Sequence, residues 1–315
     1  MTPSLEAVGL TKRFGSFTAL DHLNLKVEGS KCMGFLGPNG AGKTTTLKMF
    51  TDLIFPSEGE AFINGISVQK DRKRALSSCG DLVETPEIYP SLTPREAMEM
   101  SGVLRGMRPE EIRSRTDEVL GEVKMTEWID QKVGRFSKGM KQRVNIAASL
   151  LSDPEVVILD EPSTGLDPRG MAEVRSIVRN LKKERRLIFM SSHILSEVVD
   201  VCDEVALLDR GKLLFADRLS NVAARLGGGV RSLEAEFVSP PDDATLAGKI
   251  GSLPQVAAWS RVDPRRITLQ FKGGPAQQTE LLEQLVTMRL GLISFHESRS
   301  ALEEVYLREI SVGDA

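Results

Sequence analysis

Cysteine is scarce in this chain: Cys32, Cys79 and Cys202 are three among 315 residues. They are odd in number, widely spaced and free of any CxxC pair, which argues against a disulfide framework or a zinc site and fits a reducing cytosol. Long apolar runs are missing as well. A membrane-spanning helix needs about 20 consecutive apolar residues, whereas runs such as Val156 to Leu159 are far shorter, and Met1 to Glu6 carry no signal-peptide pattern. Any role at a membrane is therefore expected to come through a partner. Charge of one sign is not in excess either. The formal net charge is −3, with 27% charged and 41% hydrophobic residues, so a role in coating nucleic acid is disfavoured and an ordinary core is expected. Neither internal repeats nor low-complexity tracts stand out.

The length suits one large domain or two unequal ones. Near the start, Ala61-Phe62-Ile63 and Ile66-Ser67-Val68 flank Asn64-Gly65, a strong hairpin signal, so the opening reads as short strands in a small antiparallel sheet. Thr93-Pro94-Arg95-Glu96 predicts a capped helix start, and the stretch to about Trp128 reads as mainly helical. From Val156 onward, apolar runs (Val156 to Leu159, Leu187 to Met190, Val205 to Leu208) alternate with helical patterns, which predicts a parallel sheet covered on both faces, an α/β architecture. Leu226-Gly227-Gly228-Gly229 breaks the pattern. Strand-like Leu233 to Val238 and Ile267 to Phe271, with a helix-like stretch around Leu281 to Met288, predict a separate small α+β domain over 230–315, after a main domain over 1–225 with a helical part at about 93–153.

Gly37-Pro38-Asn39-Gly40-Ala41-Gly42-Lys43-Thr44 matches GxxxxGK[ST], between an apolar strand (Cys32 to Leu36) and a helical stretch starting at Thr45. The glycines let backbone N–H groups curl around a polyphosphate, Lys43 reaches its terminal phosphates and the Thr44 hydroxyl is placed to ligate Mg²⁺. ATP and Mg²⁺ are thus the expected ligands. Val156 to Leu159 then lead into Asp160 and Glu161. Side chains alternate faces along a strand, so adjacent carboxylates at its tip take different tasks: Asp160 is expected to hold Mg²⁺ through water and Glu161 to polarise the attacking water. A third feature is a helix that starts against the usual electrostatics. After Ser137, the first two turns contain Lys138, Lys141 and Arg143 with Gly139 and no acid, although helix N-termini favour acids. That start makes sense if an anion arrives from outside.

Taken together, these segments resemble the P-loop ATP-binding subunits of ABC transporters over roughly Leu5 to Leu214. Phe136-Ser137-Lys138-Gly139-Met140-Lys141-Gln142-Arg143 is similar to the family's signature segment, Ser163-Thr164-Gly165-Leu166-Asp167 to its D-loop, His193 to its switch histidine and Phe14 to the aromatic that stacks on adenine. The resemblance implies an ABC cassette with an antiparallel β subdomain and a helical subdomain. It also implies a Mg²⁺-dependent ATPase in which two cassettes, as homodimer or heterodimer, close head to tail. Each ATP would lie between one phosphate loop and the other copy's Ser137 and Gly139, with Asp167 bridging the pair and His193 steadying Glu161. A separately encoded membrane-spanning subunit would be the partner, no nucleic acid is expected, and the chain would sit at the cytoplasmic face of the membrane.

Two departures point to the drug and antibiotic export branch: Lys138 stands where the signature usually has Gly, and Glu84 in Asp81-Leu82-Val83-Glu84-Thr85-Pro86 replaces the Q-loop glutamine. Glu84 keeps an oxygen for metal or water but adds negative charge there, and Ile88 to Met100 is the expected docking surface for the membrane partner. The tail, through Ala301 to Leu307, resembles the C-terminal extension of export-type subunits. The alternative reading is a soluble ABC ATPase acting on ribosomes, nucleic acid or an assembly complex; such proteins commonly carry two cassettes or long inserts, neither visible here.

Overall fold

The computed structural model describes residues 2–84, 88–183, 185–225 and 230–297. Thr85 and Pro86, the glycine break at 226–229 and the tail segment Ala301 to Leu307 lie outside the described residues. Alternating apolar residues build the first sheet. Leu5, Ala7 and Leu10 of β1 (Ser4–Phe14) and Leu20, Leu23, Leu25 and Val27 of β2 (Phe17–Glu28) are buried, and the strands pair antiparallel. These strands are longer than expected, 11 and 12 residues. Register shifts between Ala7 and Leu10, and again around Lys12, interrupt the alternation halfway and make one long strand read as two short ones. At the far side, β4 (Glu58–Ile63) and β5 (Ile66–Ser67) turn through Asn64 and Gly65 at φ 51° and 74°, the positive pair that a two-residue hairpin demands.

The central sheet is built from β3 (Cys32–Leu36), β6 (Cys79–Leu82), β7 (Val156–Asp160), β8 (Leu187–Ser192), β9 (Glu204–Asp209) and β10 (Lys212–Arg218), in the order β10-β9-β3-β8-β7-β6. The ladders β9/β3, β3/β8, β8/β7 and β7/β6 are parallel. Every residue of β3 and β8 is buried, as expected of strands covered on both faces. Phe189 of β8 anchors the packing, its ring 5.2 Å from Phe35 and 5.9 Å from Phe50 of α1 (Lys43–Phe50). Cys32 and Cys202, 170 residues apart, meet in this core with Sγ atoms 3.4 Å apart and both thiols free. Their spacing gave no sign of this, because it follows from α7 (Leu195–Val201) packing on β3.

Short α2 (Arg72–Leu76) precedes β6, and the helical part then comprises α3 (Pro94–Leu104), α4 (Pro109–Glu122) and α5 (Lys138–Leu150), with α6 (Pro168–Lys183) following β7. The start of α3 is a complete capping box: Thr93 Oγ1 accepts from Glu96 N–H at 3.2 Å, and Glu96 Oε2 accepts from Thr93 N–H at 2.7 Å. Thr93→Ala should lower stability by about 1 kcal/mol, seen as a lower urea midpoint with an unchanged m-value. No helix among the described residues is long and apolar enough to cross a membrane.

The chain divides into two compact units, Met1–Asp217 and Arg218–Ala315, so that α8 (Leu219–Arg225) belongs with the second. That unit runs β11 (Val230–Phe237), α9 (Asp243–Thr245, continued by a π-helical turn to Ile250), β12 (Val256–Asp263), β13 (Arg266–Lys272), α10 (Pro275–Thr287) and β14 (Leu292–Glu297). The strand order β12-β13-β11-β14, antiparallel throughout, is the ferredoxin-like split βαβ arrangement. Leu233, Ala235, Phe237, Ile267, Leu269 and Phe271 form its core with Leu281 and Leu285 of α10.

Candidate functional site

Because β3, β8 and β7 are parallel neighbours, the segments leaving their carboxyl ends converge, the place where open α/β sheets bind ligands. Those segments carry the phosphate loop, His193 and the Asp160-Glu161 pair.

The loop after β3 needs its glycines for space as well as for conformation. A Cβ on Gly37 would collide with the Leu208 carbonyl oxygen, and one on Gly42, at φ 105°, would lie 2.5 Å from that of Ala19. Gly42 is also the N-cap of α1, with no side-chain cap and no acid in the first turn, so the helix presents its N–H groups and positive end to the loop. Lys43 is the first residue of that helix, only 4% exposed. Its Nζ donates to the carbonyl oxygens of Gly37 at 2.8 Å and Pro38 at 3.1 Å and lies 3.4 Å from Glu161 Oε1. Asn39, Gly40, Thr44 and Thr45 line a cleft flanked by Phe14 and Phe17. These two aromatics are paired across the β1–β2 turn and are 51% and 63% exposed; Phe17 was missed in the sequence, although the FGSF spacing marks it as the hairpin partner of Phe14.

Glu161 occupies a left-handed backbone conformation, φ 43°. Its Oε2 accepts from Thr164 Oγ1 at 2.9 Å and lies 3.0 Å from His193 Nδ1. Burial pushes the Glu161 carboxyl upward, but the Thr164 hydrogen bond and the charges of His193 and Lys43 outweigh it and hold the group below the usual glutamate range. It is therefore ionised at neutral pH and able to accept a proton from water. Asp160 Oδ1 accepts from Ser191 Oγ at 2.6 Å, and that same hydroxyl accepts from Glu161 N–H at 2.9 Å. Among the described residues no group of three His, Cys, Asp or Glu side chains could hold a metal unaided. The hydroxyl of Thr44 and the carboxylate of Asp160 are nonetheless the hard oxygen donors that Mg²⁺ takes together with substrate phosphates.

Glu84 stands apart from these groups. It too is left-handed, at φ 55°, and its carboxylate is paired with Lys48 of α1 rather than with Thr44 or Asp160. The start of α5 is likewise organised within its own surroundings. Ser137 Oγ accepts from Met140 N–H at 3.2 Å, Gly139 lies beside Gly170 of α6 with room for a side chain's first carbon, and the Lys138 ammonium lies against Gly165. Arg143 corrects the picture of a uniformly cationic helix start. It is 9% exposed, donates to the Lys124 carbonyl and pairs with Glu173, since its place on the helical wheel turns it inward. Asp167 Oδ1 accepts from Gly170 N–H at 3.1 Å, tying down the start of α6. The structure thus brings together Lys43, Asp160, Glu161 and His193, while the partners of Ser137 and Asp167 described here, Met140 and Gly170, belong to the starts of α5 and α6.

Known proteins resemble this chain in sequence and in fold. A family model described as ABC transporter matches residues 20–164. The bacitracin transport ATP-binding protein BcrA of Bacillus licheniformis is 44% identical over 215 residues, 68% of this chain and 69% of that protein. The linearmycin resistance ATP-binding protein LnrL of Bacillus subtilis (strain 168) is 30% identical over 307 residues, 96% of this chain and 97% of that one, a match that extends through the second unit. Among solved structures, an ATP-binding subunit of an ABC transporter superposes with a TM-score of 0.63 at 28% identity, covering 71% of this chain and 93% of that chain.

Proposed function

The chain belongs to the ATP-binding subunits of ABC transporters, and we propose that it hydrolyses ATP as one half of a dimeric engine driving export through a separately encoded membrane subunit. The observation that carries this reading is the convergence of the phosphate loop, Lys43 and the Glu161–His193 pair at adjacent strand ends.

Phe14 stacks on the adenine, and the N–H groups of Asn39 to Lys43 wrap the phosphates. Lys43 exchanges the Gly37 and Pro38 carbonyls for phosphate oxygens. Thr44 and Asp160 would hold Mg²⁺, which when bound neutralises the charge that builds on the phosphates. Glu161 takes the proton of a water whose oxygen bonds to the γ-phosphorus as the bond to ADP breaks, and His193 keeps the carboxylate aimed. Ser137 and Gly139 of a second copy complete the site, and Asp167 meets the facing cassette. Closure on ATP and reopening after hydrolysis move the membrane partner.

The Ile88 to Met100 segment, where Tyr89 is 63% exposed, is its docking surface. The pairing of Glu84 with Lys48 links that neighbourhood to the helix of the phosphate loop and tunes nucleotide exchange or coupling. Relatives named for bacitracin transport and linearmycin resistance support an antibiotic-type cargo and a place at the cytoplasmic face of the membrane. The second unit serves as a regulatory or dimer-steadying accessory.

Light scattering on purified protein, with phosphate release measured in the same samples, tests the engine. Mg²⁺-dependent hydrolysis with an ATP-driven shift from monomer to dimer mass is expected. Copurification with ribosomes and with no integral membrane protein would overturn the transporter assignment.

A further inference from the structure

At the tip of β8 two consecutive serines work in opposite directions, as alternation along a strand dictates. The Ser192 hydroxyl accepts from Ile194 N–H at 2.9 Å and donates to the buried Glu197 carboxylate at 3.0 Å, pinning the loop that carries His193. Ser191 faces β7, where Asp160 is its register partner. Its side chain is fully buried, and its single hydroxyl both accepts from Glu161 N–H at 2.9 Å and donates to Asp160 Oδ1 at 2.6 Å.

The two groups joined in this way are the ones the proposed reaction must keep apart in task and fixed in angle. Glu161 needs the support most, because non-glycine residues rarely adopt its φ of 43°. A hydroxyl on the neighbouring strand that captures its N–H holds the peptide there. The proton of that hydroxyl goes to Asp160 and fixes which carboxylate oxygen is left for the metal side.

We infer that Ser191 is a positioning residue, whose one hydroxyl sets the relative orientation of the metal-side carboxylate Asp160 and the water-orienting carboxylate Glu161. The inference rests on the hydrolytic reading above and adds a residue to it. Without the hydroxyl, the Glu161 N–H and the Asp160 oxygen are left unpaired beside a buried strand end. The peptide relaxes toward ordinary φ, and the Glu161 carboxylate shifts relative to the water it must orient.

Three substitutions separate the hydroxyl from its volume. Ser191→Ala and Ser191→Val, which lack it, should lower kcat roughly 10- to 100-fold, as a displacement near 1 Å of a catalytic group can, with KM for ATP unchanged and the melting temperature lowered only modestly by the two groups left unpaired. Ser191→Thr, nearly the shape of Val but with the hydroxyl, should restore most of the rate. Independently of turnover, the Mg²⁺ concentration that half-saturates binding of a fluorescent ATP analogue should rise in Ala and Val and return in Thr. Wild-type kcat in Ser191→Ala, or a Thr variant as impaired as Val, would overturn the inference. A wild type without turnover would count against the hydrolytic reading instead, and an unchanged Mg²⁺ midpoint in Ser191→Ala would then still refute the role of Ser191.

Discussion

Glu161→Gln is expected to cut ATP turnover by about 10²- to 10⁴-fold, the range supplied by a positioned general base, while ATP binding persists and the dimer accumulates. The amide keeps the size of the carboxylate and can still meet the Thr164 hydroxyl, so the fold and the φ of 43° held by Ser191 are retained. What it loses is the capacity to take a proton, and with it the negative charge facing Lys43 and His193. Removing that charge also removes repulsion toward the γ-phosphate, so the ATP-bound dimer should outlive its wild-type counterpart. Single-turnover phosphate release and light scattering in the same samples check both parts. Undiminished hydrolysis would take Glu161 out of the mechanism. The pH profile has a definite sign: because the folded-state pKa of Glu161 is depressed, its contribution to stability and activity is present above the usual glutamate range and is lost only as pH falls through the lower folded value.

Lys43→Ala should act earlier in the cycle. The ammonium is nearly buried and is held by two loop carbonyls and by Glu161, a set of partners that a phosphate chain can replace at little cost in reorganisation. Charge-assisted hydrogen bonds contribute about 1.5–3 kcal/mol each, which corresponds to a loss of ATP affinity of roughly 10- to 100-fold. Turnover should fall further, since a donor aimed at developing transition-state charge is commonly worth about 10²–10³ in kcat. Titration with a fluorescent nucleotide separates the two effects. Lys43→Arg should not restore activity, because a planar guanidinium does not occupy the place of a compact ammonium inside the loop. Nucleotide binding at wild-type strength in Lys43→Ala would remove the phosphate loop from the site.

Much of the fold was legible because its determinants are local. The Asn64-Gly65 turn, the capping box at Thr93 and the runs that became β7, β8 and β9 each depend on residues within a few positions of one another. The length of β1 and β2 was harder to read, since the register shifts that mask it are properties of the pair. Arg143 was misjudged for a related reason: its charge was visible, but the Lys124 carbonyl and Glu173 that absorb it come from other elements. Glu84 could be recognised as a departure, whereas its partner Lys48 could not be named until α1 and the end of β6 had been placed side by side.

The same division separates the parts of the site. By itself the sequence determined the phosphate loop, since eight contiguous residues running from a strand into the first turn of a helix contain both the conformational freedom and the charge that polyphosphate binding needs. It also determined that two acids end an apolar strand, because strand alternation is a property of the backbone alone. Only the tertiary structure decided that β3, β8 and β7 are neighbours. That order puts Glu161 within reach of Lys43 and His193, residues more than 100 and about 30 positions away, and lets one buried serine hydroxyl hold both Asp160 and Glu161. Hydrogen bonds of a few ångströms across such separations are fixed by strand order and register, which arise from the packing of the whole sheet and not from any window of the chain.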